Sequence, residues 1–473
     1  MPRIAFMGAG STIFAKSVLG DCILTPEIQD LEIALHDIDP VRLEDSRKML
    51  ENIASNAGRK VRIEAHADRK QALRGAKYVV NAIQVGGYDP CTITDFEIPK
   101  KYGLRQTIAD TLGIGGIFRA LRTIPVLEEF AADMMEVCPD ALFINYSNPM
   151  AMLTGYLQTY TKINTIGLCH SVQVCIPQLF KALDMEELVP ETRWEIAGIN
   201  HQAWLLKVQD GRGNDLYPEI KKRAAAFLNG EASYDAGWDK VRYEMMLRFG
   251  YYITESSEHN AEYTPWFIKD RYPELIERYN IPLDEYPKRC IKQIGDWKQM
   301  RGELVQNAEI KHEKSREFAS FIINSMENDV PYRVHGNVRN TGLIPNLPPN
   351  ACVEVPCLVD RDGIHPCYVG NLPEQCAAIN RTNINVQLLT IQAAKSRRKE
   401  DIYMAAMMDP HTAAELSMDD IRQCAMKCWR HTVPGCLNTD NKRKKQGDKS
   451  DGESIESGCA GHGEIWEKPM RAV

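Results

Sequence analysis

A cysteine and a histidine stand side by side in the segment IGLCHSVQ, residues 166–173. Cys169 follows a run that is typical of a β-strand in a parallel sheet, and ligands bind at the carboxyl ends of such strands. A thiolate there can act as a nucleophile or as a metal ligand. A nucleophile needs an adjacent base, whereas the side chain of His170 is expected to point to the opposite face of an extended segment. A metal site needs at least one more ligand.

A second candidate ligand, His201, follows Cys169 by 32 residues in the strand-like segment IAGINHQAW. One thiolate, one imidazole and open coordination positions suit a divalent ion that binds substrate oxygens. Buried cysteine and histidine side chains are more often structural than ligating, so structural roles for both residues remain the alternative.

The segment ITESSEHNAEYTPWF, residues 253–267, is dense in groups that could do chemistry. Beside two further aromatic residues it contains Glu255, Glu258, His259, Glu262 and Tyr263. Aromatic faces and carboxylates suit a sugar pocket. The alternative is a partly exposed loop that carries a solvated charge cluster.

A glycine turn, Gly8-Ala-Gly10-Ser11, separates an apolar run from a segment with helical spacing. Such a turn leaves the amino terminus of the helix open to a pyrophosphate, and Ser11 adds a hydroxyl donor. The match to the dinucleotide fingerprint is partial because Ile13 replaces the third glycine. Asp37, at the end of the second predicted strand, would accept hydrogen bonds from a ribose diol and favours NAD over NADP. An ordinary turn with a solvated aspartate is the alternative.

Predicted strands alternate with helical segments in the first part of the chain. Strands are expected at RIAFM (3–7), LEIALHDID (31–39), VRIEAH, YVVNAI (78–83), ALFINY (141–146) and INTIGLC (163–169). The alternation indicates an α/β fold with a Rossmann-like, doubly wound parallel sheet. We expect an NAD-binding domain over residues 1–195, a mixed α/β substrate and metal domain over 196–436, and a disordered polar tail over 437–473.

The composition restricts the partners and the location. The 473 residues are 44% hydrophobic and carry a formal net charge of -7, which argues against a nucleic-acid partner. The sequence has no leader-like start and no apolar run long enough to span a membrane, so we expect a cytoplasmic protein without membrane contact. Because thiols stay reduced there, the fourteen cysteines are interpreted as core residues with one or two chemical ones.

Several longer motifs stand in a characteristic order along the chain. They are FMGAGSTIF, VGGYDP (85–90), ADTLGIGGIFRALRTIP (109–125), NYSNPMA (145–151), CHSV (169–172), GINH (198–201), SSEHNAEYTPWF and AAMMDPHTAAEL (405–416). Together they resemble the family-four glycoside hydrolases, NAD- and manganese-dependent glycosidases outside the two-carboxylate scheme. The resemblance runs from residue 3 to about residue 420, and CHSV is similar to the α-galactosidase subgroup, the melibiose hydrolases.

The resemblance implies roles for individual residues. Cys169 and His201 would hold the divalent ion, and Asn148 would contact the substrate diol near it. Asp110 falls where the family places an acidic contact to a sugar hydroxyl. Tyr263 matches the position of the family's base.

The implied reaction is a cycle of oxidation, elimination, addition and reduction. Hydride passes from C3 of the sugar to NAD, the new carbonyl is polarised by Mn²⁺, and Tyr263 removes the C2 proton. His170 stands where the 6-phosphosugar members carry Asp or Asn. It would contact the sugar and act as the acid that helps the aglycone to leave, or that role falls to another group.

We therefore expect an α-galactosidase that hydrolyses melibiose-type galactosides as a homo-oligomer, either a dimer or a tetramer. The alternatives within the family are an α-glucosidase and an α-glucuronidase or galacturonidase. Outside it, an NAD-dependent 2-hydroxy acid dehydrogenase would share the fold, which belongs to the lactate/malate dehydrogenase-like superfamily. A non-catalytic NAD-sensing or sugar-binding regulator is the alternative of a different class.

Overall fold

The first half of the chain forms a parallel sheet. The computed structural model describes residues 2–315 and 317–432. The first six strands are β1 (Arg3–Met7), β2 (Glu32–His36), β3 (Arg62–His66), β4 (Tyr78–Asn81), β5 (Leu142–Asn145) and β6 (Asn164–Gly167). They lie parallel in the order β3-β2-β1-β4-β5-β6. The prediction of a doubly wound parallel sheet is confirmed.

The second half of the chain extends the same sheet with antiparallel strands. These are β7 (Arg193–Ile199), β8 (Gln202–Gln209), β9 (Tyr252–Ile253), β10 (Tyr332–Arg339), β11 (Cys352–Asp360) and β12 (Gly363–Pro366). The order continues from β6 as β10-β11-β7-β8-β9, and β12 pairs with β11. Both halves therefore contribute to one sheet of twelve strands.

Helices cover the sheet and connect its strands. In the first half they are α1 (Thr12–Ile23), α2 (Pro40–Asn56), α3 (Arg69–Leu73), α4 (Ile93–Lys100), α5 (Gly113–Val137), α6 (Met150–Tyr160) and α7 (Ser171–Ala182). In the second half they are α8 (Tyr217–Leu228), α9 (Lys240–Phe249), α10 (Ser257–Glu262), α11 (Glu274–Arg278), α12 (Glu285–Arg301), α13 (Phe318–Asn328), α14 (Glu374–Ser396), α15 (Lys399–Met408), α16 (Pro410–Glu415) and α17 (Met418–Thr432).

Strand β1 shows why the parallel strands are continuous apolar runs. Ile4 and Phe6 belong to the apolar cluster on one face of the sheet, whereas Ala5 and Met7 belong to the cluster on the other. Side chains alternate between faces along a strand, so a strand covered on both sides has no polar face to present. Full burial of one side chain such as Phe6 contributes roughly 1.5–3 kcal/mol.

The two halves of the sheet join where β6 meets β10. The strands pair antiparallel at Gly167 and Asn337. A Cβ atom at Gly167 would lie 2.5 Å from the sulfur of Met150, so a side chain larger than hydrogen does not fit between the strand and helix α6. The junction brings the end of the parallel half, which leads to Cys169, beside the antiparallel half, which carries His201.

The structure corrects one prediction about the second half. IAGINHQAW was expected to be a single strand-like segment, but β7 ends at Ile199 and β8 begins at Gln202. The strands pair through these two residues, so Asn200 and His201 form the turn of a hairpin. Strands β2, β4, β5 and β6 lie within the segments predicted for them and are shorter at their ends.

The proposed domain boundary after residue 195 stays a prediction, since one sheet runs through both proposed domains. The tail predicted over residues 437–473 lies outside the described residues. Within the described part of the chain, no helix combines the length and the apolar character that crossing a membrane requires.

Candidate active site

Three side chains that could hold a metal ion lie together at the junction of the two halves. Cys169, His201 and Glu255 each offer one donor atom, and these atoms lie within 4.8 Å of one another. Cys169 Sγ is 4.0 Å from Glu255 Oε2, and His201 Nε2 is 3.7 Å from the same oxygen. A thiolate, an imidazole and a carboxylate form a donor set that first-row divalent ions accept. The structure thus brings the two predicted ligands together and adds a carboxylate.

The three donors come from separate connections in the fold. Cys169 follows β6, His201 lies in the turn between β7 and β8, and Glu255 follows β9. His201 and Glu255 adopt left-handed backbone conformations, with φ of 62° and 65°. Such a conformation costs a non-glycine residue on the order of 1–3 kcal/mol and persists only where its surroundings enforce it. Two of the three candidate ligands are therefore held in place by tertiary contacts.

Burial controls the protonation of this cluster. Burial, together with the charges of Glu255 and Glu354, raises the pKa of the Cys169 thiol well above its usual value. Burial also lowers the pKa of His201 to about 4, so its imidazole is neutral, as a metal ligand must be. For Glu255, burial raises the pKa, but the neighbouring histidines outweigh this effect and the net pKa is lowered. A bound cation would balance this carboxylate and favour ionisation of the thiol, so the donor set fits a divalent ion.

Tyr263 reaches this cluster through the other nitrogen of His201. Its phenol oxygen lies 3.2 Å from His201 Nδ1, and Thr111 Oγ1 lies 3.1 Å from the same nitrogen. Burial and the charges of Asp110 and Glu262 raise the pKa of Tyr263 well above its usual value. If His201 binds a metal through Nε2, then Nδ1 carries the proton and can donate it in a hydrogen bond to one of these oxygens.

Two of the three predicted sugar contacts, Asp110 and Asn148, touch each other. Asn148 Nδ2 donates to Asp110 Oδ2 at 3.1 Å, and His259 Nε2 lies 3.6 Å from Asp110 Oδ1. Burial raises the pKa of Asp110, but His259 and the Arg119 guanidinium outweigh it and hold the pKa well below its usual range. Burial conversely lowers the pKa of His259, yet Asp110 and other acidic neighbours raise it to about 9. Asp110 is therefore a charged acceptor.

A buried carboxylate fixes the loop that presents Asp110. Glu262 accepts hydrogen bonds from the backbone N–H groups of residues 107–109, at 2.9, 3.3 and 2.9 Å. Ala109, directly before Asp110, has a left-handed φ of 51°, which these bonds help to enforce. Since Glu262 directly precedes Tyr263, one side chain sets the position of the predicted acidic contact relative to the predicted base.

His170 is exposed, in contrast to the cluster of Cys169, His201 and Glu255. Its backbone is in the helical region, with φ of -83° and ψ of -5°, directly before α7 begins at Ser171. The expectation of an extended segment was wrong, because β6 already ends at Gly167. The side chain of His170 is exposed, whereas that of Cys169 is only 8% exposed.

The glycine turn lies against Asp37 and the end of β4. A Cβ atom at Gly8, which has φ of 88°, would lie 2.8 Å from the carbonyl oxygen of Ala82. A Cβ atom at Gly10 would lie 2.7 Å from Asp37 Oδ2, and the Gly10 N–H donates to that oxygen at 2.6 Å. Neighbouring atoms therefore lie too close for a side chain at either glycine. Without side chains there, the turn leaves the amino terminus of α1 accessible.

A cavity of about 700 Å³ begins at this turn. Its lining includes Gly8, Gly10, Ser11 and Asp37 on one side and Cys290, Ile294 and Trp297 of α12 on the other. The volume is within the range of about 300–1,000 Å³ that is usual for ligand sites. The cavity therefore fits a dinucleotide, and helix α12 forms its outer wall.

Sequence reasoning did not assign a role to every residue of the site. Glu255, His259 and Tyr263 stand four residues apart, a spacing that places side chains on one face of a helix and could have suggested that they act together. No comparable spacing in the sequence pointed to Arg119 or Tyr286. The Arg119 guanidinium donates to the Tyr286 hydroxyl oxygen at 3.3 Å and connects α5 with α12.

Comparison with known proteins identifies the family. Residues 3–185 match the model of the family 4 glycosyl hydrolases, and residues 196–412 match the model of the family 4 glycosyl hydrolase C-terminal domain. An α-galactosidase of Bacillus subtilis (strain 168) is 62% identical over 421 residues, which cover 89% of this chain and 96% of the relative. The chain belongs to glycosyl hydrolase family 4.

Solved structures share the fold of this family 4 glycosyl hydrolase. A putative glucosidase from Bacillus subtilis superposes with a TM-score of 0.81 at 25% identity, over 90% of this chain and 99% of the other. A 6-phospho-β-glucosidase from Thermotoga maritima, solved with manganese, NAD⁺ and glucose-6-phosphate, gives a TM-score of 0.71 at 21% identity, over 90% and 98% of the two chains.

The hydrogen bonds that Glu262 accepts from the backbone of residues 107–109 lead to a first prediction. In Glu262→Gln the side-chain amide group faces a backbone N–H, so at least one hydrogen bond to residues 107–109 is lost. We expect the kcat of glycoside hydrolysis to fall by about tenfold or more, as one lost buried hydrogen bond implies. The control is Glu244→Gln, which alters a largely buried carboxylate paired with Arg248 and should keep kcat within about twofold. Equal kcat values for the two variants would contradict the positioning role.

Proposed function

We propose that this enzyme is an α-galactosidase that hydrolyses neutral, melibiose-type α-galactosides with NAD and Mn²⁺ as cofactors. The observation that carries the proposal is the 3.2 Å contact between Tyr263 and His201, because it connects a candidate base to a candidate metal ligand. The α-galactosidases of Bacillus subtilis and Rhizobium meliloti, 62% and 35% identical to this chain, support the galactoside as substrate. His170 stands where the phosphosugar members carry Asp or Asn, which supports a neutral sugar.

The nucleotide cavity would hold the dinucleotide. Gly8, Gly10 and Ser11 would place its pyrophosphate at the amino terminus of α1. Asp37 would accept hydrogen bonds from the adenosine ribose. Its two oxygens already accept from the N–H groups of Gly10 and Asp39, at 2.6 and 2.9 Å, and a carboxylate oxygen can accept a second bond. The fixed negative charge would repel a 2'-phosphate, which supports NAD over NADP.

The cluster of Cys169, His201 and Glu255 would hold the metal ion and leave positions for sugar oxygens. When bound, NAD supplies a hydride acceptor for C3 of the galactose ring, and the divalent ion supplies a Lewis acid beside the new carbonyl. Asp110 and Asn148 would orient the ring through its hydroxyl groups.

Tyr263 would take the C2 proton at its phenol oxygen. Burial and the charges of Asp110 and Glu262 keep this phenol protonated, because they raise its pKa well above the usual value. A hydrogen bond from His201 Nδ1, 3.2 Å away, would stabilise the phenolate. His170, at the exposed start of α7, would donate a proton to the oxygen of the leaving group.

We further propose that the enzyme acts in the cytoplasm as a homo-oligomer, either a dimer or a tetramer. A reducing compartment is supported by the cysteines, which are all free in the described part of the chain, and by the need for an unoxidised thiol at Cys169. The oligomeric state rests on the resemblance to the family.

A panel of nitrophenyl glycosides tests the function. We expect the α-galactoside to be hydrolysed only when NAD and Mn²⁺ are both present. The α-glucoside and the α-galacturonide should be poor substrates. Absorbance at the nicotinamide band should stay constant during turnover, because the cofactor is returned to its oxidised form. Accumulating NADH would indicate a dehydrogenase, and preferential hydrolysis of another glycoside would refute the galactoside assignment.

Proton transfer at C2 is tested by hydrolysis in deuterated water. Because the abstracted proton exchanges with solvent before the ring is rebuilt, the released galactose should carry deuterium at C2. Nuclear magnetic resonance of the product measures the label. An active preparation that releases unlabelled galactose would exclude the elimination mechanism.

The metal role of Cys169 is tested by Cys169→Ser. A hydroxyl is a far weaker ligand than a thiolate, so we expect Mn²⁺ affinity, measured by calorimetry, to fall by more than about tenfold. Affinity for NAD should be retained because the nucleotide turn is separate. Cys138→Ser, at a cysteine that is 6% exposed and lies in the apolar core, is the control and should keep Mn²⁺ affinity. Unchanged Mn²⁺ binding by Cys169→Ser would rule out the ligand role.

A further inference from the structure

The structure contains a second cavity of about 380 Å³. It is lined by Gln173, Trp194, Phe318, Phe321, Tyr332, Arg333 and His335, which we call the aromatic pocket. Its volume is near the lower end of the range of about 300–1,000 Å³ that ligand sites cover. The pocket is therefore of a size for one or two sugar rings rather than for a dinucleotide.

Two chain connections place the aromatic pocket next to the catalytic residues. Gln173 follows His170 by one helical turn, and side chains three residues apart on a helix lie about 5–6 Å apart at Cβ. On the other side, β10 pairs with β6 at Asn337 and Gly167. His335 lies two residues from this pair on β10, and Cys169 lies two residues beyond it after β6. The pocket thus borders the position of the proposed acid.

The walls of the pocket are aromatic rings arranged in two stacks. Trp194 stacks on His335 with ring centroids 5.3 Å apart, and Phe321 stacks on Tyr332 at 4.6 Å. Arg333 lies over the Trp194 ring at 5.4 Å. Stacking fixes the orientation of these rings, and flat rings held in this way suit the apolar faces of pyranose rings.

Residues that line this pocket carry buried polar atoms without a hydrogen-bond partner. Both the Nε2 and the Oε1 of Gln173 are buried and have no hydrogen-bond partner among the described residues. Buried polar groups are normally paired, so these atoms require a ligand or ordered water. A donor and an acceptor on one amide match a sugar hydroxyl, which can both accept and donate.

The charge of the pocket favours a neutral ligand over a phosphate. Burial and the neighbouring Arg333 lower the pKa of His335 to about 3, so this side chain adds no positive charge. Among the lining residues that the structure describes, Arg333 is the one cationic side chain, and its guanidinium lies over the Trp194 ring.

We propose that the aromatic pocket is a subsite for the leaving group and binds the second sugar of that group in substrates longer than a disaccharide. In melibiose a single glucose leaves, whereas in raffinose the leaving group is a disaccharide that extends away from the bond that is broken. The inference rests on the proposed galactosidase function, because it places the broken bond beside His170. It assigns the residues that would recognise the outer sugar of a longer leaving group.

The test compares three substrates in the complete enzyme with NAD and Mn²⁺. Gln173→Ala removes an amide that has no protein partner, so the fold should be retained. We expect kcat/KM for raffinose to fall about five- to tenfold, the effect of one lost hydrogen bond, mostly through KM. The values for melibiose and for nitrophenyl α-galactoside should change less than about twofold. Equal losses on all three substrates, or no loss on raffinose, would overturn the proposal.

A matched pair of tyrosines gives a second, independent measurement. Tyr332, 38% exposed, stacks on Phe321, whereas Tyr160, 42% exposed, packs on Tyr156 far along the chain from the pocket. Tyr332→Ala should lower kcat/KM selectively for raffinose, and Tyr160→Ala should not. If Tyr332→Ala instead changes the molar mass in light scattering, the pocket is a subunit contact and the subsite is refuted. If the unmodified enzyme hydrolyses no α-galactoside at all, the proposed function fails and the subsite falls with it.

Discussion

The pairing of Gly167 with Asn337 is the contact on which the candidate site depends. It joins six parallel strands to the antiparallel strands of the second half, and no other strand pair connects the two sets among the described residues. The amide of Asn337 donates to the carbonyl oxygen of Gly167 at 3.4 Å and to Glu354 Oε1 at 3.3 Å, so side-chain bonds support a junction of a single residue pair. Cys169 lies two residues beyond this junction, and its position relative to His201 follows from it.

Electrostatic balance is the second constraint on the site. Asp110 is a buried carboxylate and Glu255 a partly buried one, and the net pKa of each is lowered. His259 lies between them, 3.6 Å from one and 3.8 Å from the other. In a medium of low dielectric constant, unpaired charges of this kind are costly. The protein compensates with one charged imidazole and with Arg119, while His201 stays neutral. The hydrogen-bond acceptor for a sugar, Asp110, and the candidate metal ligands therefore remain separate groups although they are neighbours.

The parallel half of the fold could be predicted from the sequence because strands buried on both faces are continuous apolar runs, as in RIAFM. The hairpin turn at His201 could not, since its left-handed backbone is imposed by tertiary contacts. Cys169 and His201 could be named as possible ligands from residue type and strand-end position. Glu255 could be named as a charged residue but not as a third metal ligand. Its approach to Cys169 depends on where β9 lies in the sheet. Individual roles came from the family resemblance.

Helix α12 closes the nucleotide cavity and is fastened near both ends. Tyr286 bonds to Arg119 near one end, and Arg301 forms two hydrogen bonds to Asp45, at 2.7 and 3.0 Å, at the other. A dehydrogenase must exchange its coenzyme after every reaction and so needs an exit. In the proposed cycle the coenzyme recovers its starting state before the product leaves, and nothing requires it to depart. A wall held at both ends suits a nucleotide that serves as a resident prosthetic group through many turnovers.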